Sequence, residues 1–316
     1  MIKTAMILSA GAGSRLRPLS FLKPKPLFQV LNKTMLEWWV ESLISAGIKR
    51  VVVNVHYQPE LMMEQLRNMA RGLKDRLEII PSPEAEVLGT GGGLRKAADL
   101  LGKGDFLVVN ADVFTDFELV KLALKQLANP GRLATLGLLE RPEKAEMANV
   151  SMGEGGRILG FRQAEALEGE VGRQAYCGVM ALSSDIFELI PDEGPSDIID
   201  VFSTALEQSA DISGWSYDPA IWSDMGMPAD YWKLNERLAC RRTIVHSTAV
   251  VRGELGGWNV LGAEALVEKG ARAENCVIWP YAVISSGSMV RNAVVAGVVP
   301  SGTNLDGGLF CGEADV

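Results

Sequence analysis

Cysteine and histidine are scarce in this chain. The four cysteines, Cys177, Cys240, Cys276 and Cys311, lie far apart and form no C-x-x-C pair. Neither a thiolate zinc site nor a disulfide framework is suggested, and a reducing, cytoplasmic setting fits best. The two histidines, His56 and His246, read as structural or surface groups. Neither is near Cys177 in sequence, so that thiol lacks the partner a nucleophile needs. A basic block is also missing. Lys and Arg number 31 against 39 Asp and Glu, a net charge of -8, so nucleic-acid binding through the phosphate backbone is not expected. A small phosphorylated ligand, which needs only a few placed donors, remains compatible. No stretch approaches the roughly 20 apolar residues of a membrane span. The apolar start from Met1 to Ala10 has no basic region before it and runs into glycines, so it does not read as a signal peptide.

What is present is an ordinary globular balance, 47% hydrophobic over 316 residues, enough for one large or two modest domains. The first half alternates strands and helices. Strands are expected at Thr4–Ser9, Val51–Val55, Leu77–Ile80 and Phe106–Asn110. Helices are expected at Met35–Ile44, capped by Thr34, then at Gln58–Leu73 and at Leu94–Leu101. This rhythm implies an α/β fold with a mostly parallel mixed sheet, in which ligands sit at the carboxyl ends of the strands. After about Arg132 the pattern is less regular, with strands near Leu133–Leu139 and Tyr176–Ala181 and helices at Ile198–Gln208 and Tyr231–Cys240. From Thr243 the character changes. Leu261, Val267 and Ala273, then Ile278, Ile284 and Val290, recur every six residues among small ones. That period predicts a short left-handed parallel β-helix. The domains expected are 1–237 and 243–316, the second docking or mediating self-association.

The segment Ser9, Ala10, Gly11, Ala12, Gly13, Ser14, Arg15 follows the first strand directly. A glycine loop there can turn backbone N–H groups toward phosphates. Leu16 stands where the dinucleotide motif G-x-G-x-x-G and the P-loop each need a glycine, so both are excluded. Ten residues beyond Arg15, Lys25 is set between Pro24 and Pro26, which fix the backbone around it. Arg15 and Lys25 together could neutralise a triphosphate.

The string Gly11-x-Gly13-x-Arg15-Leu-x-Pro18-Leu, followed by Pro24-Lys25-Pro26-Leu, resembles the sugar-1-phosphate nucleotidylyltransferase family. Its members join a nucleoside triphosphate to a sugar 1-phosphate and release pyrophosphate. Four further segments match in order: Glu84-Ala-Glu-Val-Leu-Gly89-Thr90-Gly91, Asn110-Ala-Asp112, Ala175-Tyr-Cys177-Gly178-Val and Trp222-Ser-Asp224-Met-Gly226-Met227-Pro228. The resemblance implies a Rossmann-like nucleotidyltransferase domain, with catalytic residues Arg15, Lys25 and Asp112. It implies nucleotide contacts from Ser9 through Arg15, from Lys25, and from Glu84, Gly89, Thr90 and Gly91. It implies Mg²⁺ on Asp112 and Asp224, a metal suited to carboxylates beside polyphosphate. Sugar contacts are implied at Asn110, Ala148, Gln163, Cys177 and Gly178. Gln163 departs from the family's Glu-Lys pair, and Met227 replaces its usual threonine.

The mannose-1-phosphate guanylyltransferase and N-acetylmuramate-phosphate uridylyltransferase branches look nearest, with glucose-1-phosphate thymidylyl or uridylyl transfer next. A catalytically silent regulatory homologue is the competing reading; the retention of Arg15, Lys25, Asp112 and Asp224 speaks against it. A nicotinamide dehydrogenase is disfavoured by Leu16. An acyltransferase built on the β-helix is disfavoured by its few coils and lone His246.

Overall fold

A computed structural model describes residues 1–141 and 147–312. By its contacts the chain divides into two compact units that are not contiguous in sequence. The first comprises Met1–Gly11 and Trp38–Trp222; the second comprises Ala12–Glu37 and the chain from Ser223 onward.

The first unit is built on one mixed sheet. Its main path runs Ile158–Phe161, Val150–Met152, Gly172–Leu182, Phe106–Asn110, Thr4–Leu8, Arg50–Val55 and Glu78–Pro83. The strand Ala134–Leu139 branches from Gly172–Leu182 and carries Ile212–Ser216. Thr4–Leu8 lies between parallel partners, pairing Ile7 with Val53 on one side and Leu8 with Asn110 on the other. Each of these three strands is almost wholly apolar because helices cover both faces. The C-terminal ends of neighbouring parallel strands therefore open side by side, where such sheets bind ligands.

Several elements depart from the sequence expectation for identifiable reasons. The strand expected to end at Ile80 continues through Pro81 and Pro83 to the end of Glu78–Pro83. It is an edge strand, so the missing proline N–H groups break no ladder. The helix expected from Leu94 starts at Gly89, and the glycine run is itself helical. A Cβ at Gly89 would come 2.6 Å from the Ser196 carbonyl oxygen, and one at Gly92 would come 2.8 Å from that of Gly194. The glycines are there because another backbone packs onto the helix. The helix Leu119–Leu127 was not expected; it buries Leu119, Leu122 and Ala123.

In the second unit the chain from Ile244 to Cys311 forms stacked parallel strands. One face is the ladder Ile244–Val245, Glu254–Leu261, Arg272–Ile278, Met289–Ala296 and Asn304–Cys311; another is Val250–Val251, Leu266–Val267, Val283–Ile284 and Val298–Val299. Alternation between two parallel ladders is β-helical winding. All six residues of the two hexad series are buried, so the six-residue period marks the side chains that fill the coil.

The helix Pro228–Ala239 joins these coils to the Lys25 segment. Pro228 occupies its first turn, and the Asp230 carboxylate accepts the Met227 N–H at 3.0 Å, which starts the helix three residues before the expected Tyr231. The Tyr231 hydroxyl donates to the Gln29 carbonyl at 2.6 Å and accepts from the Trp279 indole at 3.1 Å. Phe28 packs edge-on against both rings. Asn235 accepts the Leu31 N–H at 3.0 Å, and Asn32 donates to the Leu261 carbonyl at 2.8 Å. Tyr231→Phe leaves a part-buried carbonyl and a buried indole N–H without their partner. A loss of about 1–3 kcal/mol is expected, read as a lower urea midpoint at unchanged m; an unchanged midpoint would show that water replaces the hydroxyl.

Candidate active site

In the first unit, the register of two strands assembles the start of the site. Leu8 stands beside Asn110, and the Ala111 N–H donates to the Leu8 carbonyl at 3.0 Å. Ser9, Ala10 and Gly11 therefore leave one strand end as Ala111 and Asp112 leave its neighbour. Asp112 is half-buried at that edge. A third chain joins from Ile221: its N–H donates to the Asp116 carboxylate at 3.1 Å, and its carbonyl accepts the Asp116 N–H at 3.2 Å. The Trp222 indole donates to the Cys177 carbonyl at 2.9 Å.

A pocket of about 510 Å³ opens in this unit. Gly89, Thr90 and Asn110, all anticipated from sequence, line it together with Arg162, Tyr176, Ser196 and Asp197, which were not. Arg162 pairs with Asp197 at 3.0 Å. Asp197 also caps the helix Ile198–Glu207, accepting the Ile199 N–H at 3.0 Å. The Gly91 and Gly92 N–H groups both point at the Ser196 carbonyl, at 2.8 and 3.3 Å. These two N–H groups are thus taken by the protein's own backbone.

The other residues anticipated for the sugar, Ala148, Gln163, Cys177 and Gly178, are not among those that line this pocket. Ala148 is half-buried ahead of Val150–Met152, and Gln163 is exposed with its side chain folded toward Gly160. Cys177 faces the core: a Cβ at Gly137 would meet its Sγ at 2.7 Å. Strand alternation explains the exchange. Tyr176 and Met180 turn one way, into the pocket, and Cys177 turns the other. Burial pushes the Cys177 thiol up to about 12, so it stays protonated at neutral pH and is no nucleophile. Brief alkylation of the native protein at pH 8 is expected to modify the exposed Cys240 and spare Cys177, as mass spectrometry of tryptic peptides would report; rapid labelling of Cys177 would contradict this burial.

Asn54 escapes sequence reading because it sits inside the apolar run Arg50–Val55. It is 2% exposed. Its Oδ1 accepts the Ser9 N–H at 2.6 Å, and its Nδ2 donates to Glu84 Oε1 at 2.7 Å.

The second unit carries the remaining phosphate-directed groups. Gly13 takes φ +60°, a left-handed conformation that favours glycine, and its Cα faces Lys25 Cβ and Ser20 Cβ. The turn Ser14–Leu16 then points Arg15 outward while burying Leu16. Lys25 begins the turn Lys25–Leu27 and is only 6% exposed. Pro24 is extended before it, and the Leu27 N–H closes back on the Pro24 carbonyl at 2.9 Å. The Arg15 guanidinium lies against Gly226, where a Cβ would approach Nη1 to 3.3 Å. A bare backbone at Gly226 lets the arginine rest beside the segment that carries Asp224.

The described residues contain no group of three or more His, Cys, Asp or Glu able to hold a metal by themselves. No described helix is long and apolar enough to cross a membrane.

The chain is 31% identical to "Probable mannose-1-phosphate guanylyltransferase 3" of Oryza sativa subsp. japonica, covering 92% of this chain and 85% of the rice protein. It is equally similar, at 31%, to "Mannose-1-phosphate guanylyltransferase 1" of Arabidopsis thaliana, over 92% of this chain and 78% of the plant protein. The fold is that of a UDP-glucose pyrophosphorylase solved with UDP-glucose, with a TM-score of 0.62, 19% identity, and coverage of 77% of this chain and all of that one. The pattern of the nucleotidyl transferase family matches residues 4–241, a span that holds the glycine loop, Lys25, Asn110, Asp112 and Asp224 in order, and the chain belongs to that family of enzymes.

Proposed function

We propose that this nucleotidyltransferase joins a nucleoside triphosphate to a sugar 1-phosphate with release of pyrophosphate, and that GTP and mannose 1-phosphate are its substrates. The observation that carries the reaction is the Leu8–Asn110 register, which brings the glycine loop and Asp112 out of adjacent strand ends. The choice of substrates rests on the names of the relatives that cover most of the chain.

The chemistry needs no protein nucleophile. The phosphate oxygen of the sugar 1-phosphate is already anionic. It attacks the α-phosphorus in line, a P–O bond forms, and the bond to pyrophosphate breaks. Catalysis is then positioning plus neutralisation of charge. Ala10 to Ser14 offer backbone N–H groups to the nucleotide phosphates, and Lys25 holds a phosphate as a point charge. Arg15 faces the charge that grows on the leaving pyrophosphate. Gly89 and Thr90 border the nucleotide, and Asn110 reaches the sugar phosphate within the pocket. Arg162 and Tyr176, from the same pocket, join Asn110 as sugar contacts.

By the chemistry of their side chains alone, Asp112 and Asp224 are the residues proposed for a divalent cation. Asp112 and Asp224 supply hard carboxylate oxygens, and Mg²⁺ is content with one or two of these plus phosphate and water. Bound there, the ion would neutralise charge on the phosphate oxygens. Self-association through the β-helix is proposed as well, because Tyr281 and Val298 remain 72% and 56% exposed on it. Substrate choice is tested by turnover with GTP, UTP, dTTP and ATP against mannose 1-phosphate, glucose 1-phosphate and N-acetylmuramate 1-phosphate, with products identified by mass. The highest kcat/KM is expected for GTP with mannose 1-phosphate; a higher value for UTP with N-acetylmuramate 1-phosphate would move the assignment to that branch.

A further inference from the structure

Asn54 stands between the two segments assigned to the nucleotide. Its strand pairs with Thr4–Leu8 on one side, which launches the glycine loop, and with Glu78–Pro83 on the other, which launches the Glu84–Gly91 segment. One side chain bonds to both. Oδ1 accepts the Ser9 N–H at 2.6 Å, and Nδ2 donates to Glu84 Oε1 at 2.7 Å. The Ser9 hydroxyl returns a hydrogen bond to the Asn54 carbonyl. Glu84 Oε2 accepts the Leu88 N–H at 3.3 Å, one residue before the glycine helix.

We infer that Asn54 is a positioning residue that fixes the spacing between the glycine loop and the Glu84–Gly91 segment, and so sets nucleotide affinity. This rests on the nucleotide assignment proposed above. The amide orientation is dictated by chemistry. Only its oxygen can take the Ser9 N–H, and only its NH₂ can satisfy a carboxylate. Ser9, Asn54 and Glu84 are all at least nine-tenths buried, so water cannot readily replace either bond. Space is equally limited. A Cβ at Gly93 would approach Glu84 Oε1 to 2.9 Å and Asn54 Nδ2 to 3.1 Å, so the following helix packs onto the pair and leaves no slack for a longer side chain. Aspartate fits the volume but has no donor, and it would set a second carboxylate against Glu84.

The test exchanges donor and acceptor. Asn54→Asp removes the donor. Asn54→Asp combined with Glu84→Gln restores the pair with reversed polarity. The introduced glutamine amide would donate to the introduced carboxylate, and its oxygen would still accept the Leu88 N–H. The introduced carboxylate would still accept the Ser9 N–H. Dissociation constants for GTP with Mg²⁺ are measured by calorimetry, and KM values for GTP and mannose 1-phosphate by turnover. Asn54→Asp is expected to weaken GTP binding by about tenfold or more, with the sugar-phosphate KM within about twofold. The double variant is expected to recover GTP binding to within about threefold of wild type. GTP binding unchanged in Asn54→Asp, with only a lower melting temperature, would overturn the proposal and leave a purely structural residue. So would equal loss for both substrates, or a double variant no better than the single one. If Asn54→Asp fails to fold, the double variant is compared with Glu84→Gln alone: rescue of GTP binding supports the pair, and equal weakness overturns it. A wild type that binds GTP without turnover would strike the reaction proposed above and leave this test intact; a wild type that binds no nucleotide overturns both.

Discussion

Asp112→Asn is expected to lower Mg²⁺-dependent turnover by about 10³-fold, the equivalent of about 4 kcal/mol at the transition state. Asp112 follows Ala111 just beyond the strand Phe106–Asn110, whose end is pinned by the 3.0 Å bond from the Ala111 N–H to Leu8. Asparagine keeps the size of the side chain and removes its charge. The position is half-buried, so the variant is expected to fold. The check is kcat at saturating Mg²⁺ together with a thermal melt. A variant that melts like wild type and turns over within about fivefold of it would remove Asp112 from the metal assignment.

Arg15→Ala is the second large effect, about 2–4 kcal/mol of transition-state stabilisation, by comparison with removal of one preorganised donor. Its turn is set by Gly13 at φ +60° and by buried Leu16, and its guanidinium rests on Gly226. Charge accumulates on pyrophosphate only as the bond breaks, so kcat should fall by about 10²–10³ while KM for the sugar phosphate changes little. Arg15→Lys should recover only part of this, since a point charge does not replace a planar fork of donors. Near-normal kcat in Arg15→Ala would mean that the loop binds phosphate without aiding catalysis.

The residues that can be read from sequence are those whose chemistry is local. A glycine loop behind a strand, a lysine between prolines and an aspartate closing an apolar run each carry their meaning within a few residues. The β-helix is legible for the same reason: a six-residue period names the inward side chains, and Leu261, Val267 and Ala273 are fully buried. What escapes depends on register and on long-range packing. Sequence points to Cys177 rather than Tyr176, although the two alternate across one strand and only Tyr176 lines the pocket. Ser196 and Asp197 reach the pocket from the start of a helix over a hundred residues after Gly89, and no local pattern announces it. Asn54 reads as one polar interruption of an apolar strand. Its meaning comes from two neighbours, Ser9 and Glu84, 45 and 30 residues away in the chain. The grouping of Ala12–Glu37 with the C-terminal coils is likewise invisible in sequence. It follows from Tyr231, Asn235 and Trp279, which tie the Lys25 segment to the β-helix.

The most direct measurement is pyrophosphate release from GTP by the purified wild-type protein, with and without mannose 1-phosphate, in Mg²⁺ and in EDTA. The account predicts release that requires both the sugar phosphate and the metal, with GDP-sugar formed in equal amount. Release from no combination of nucleoside triphosphate and sugar 1-phosphate, by a protein that still binds GTP, would contradict it and identify a nucleotide-binding homologue without catalysis.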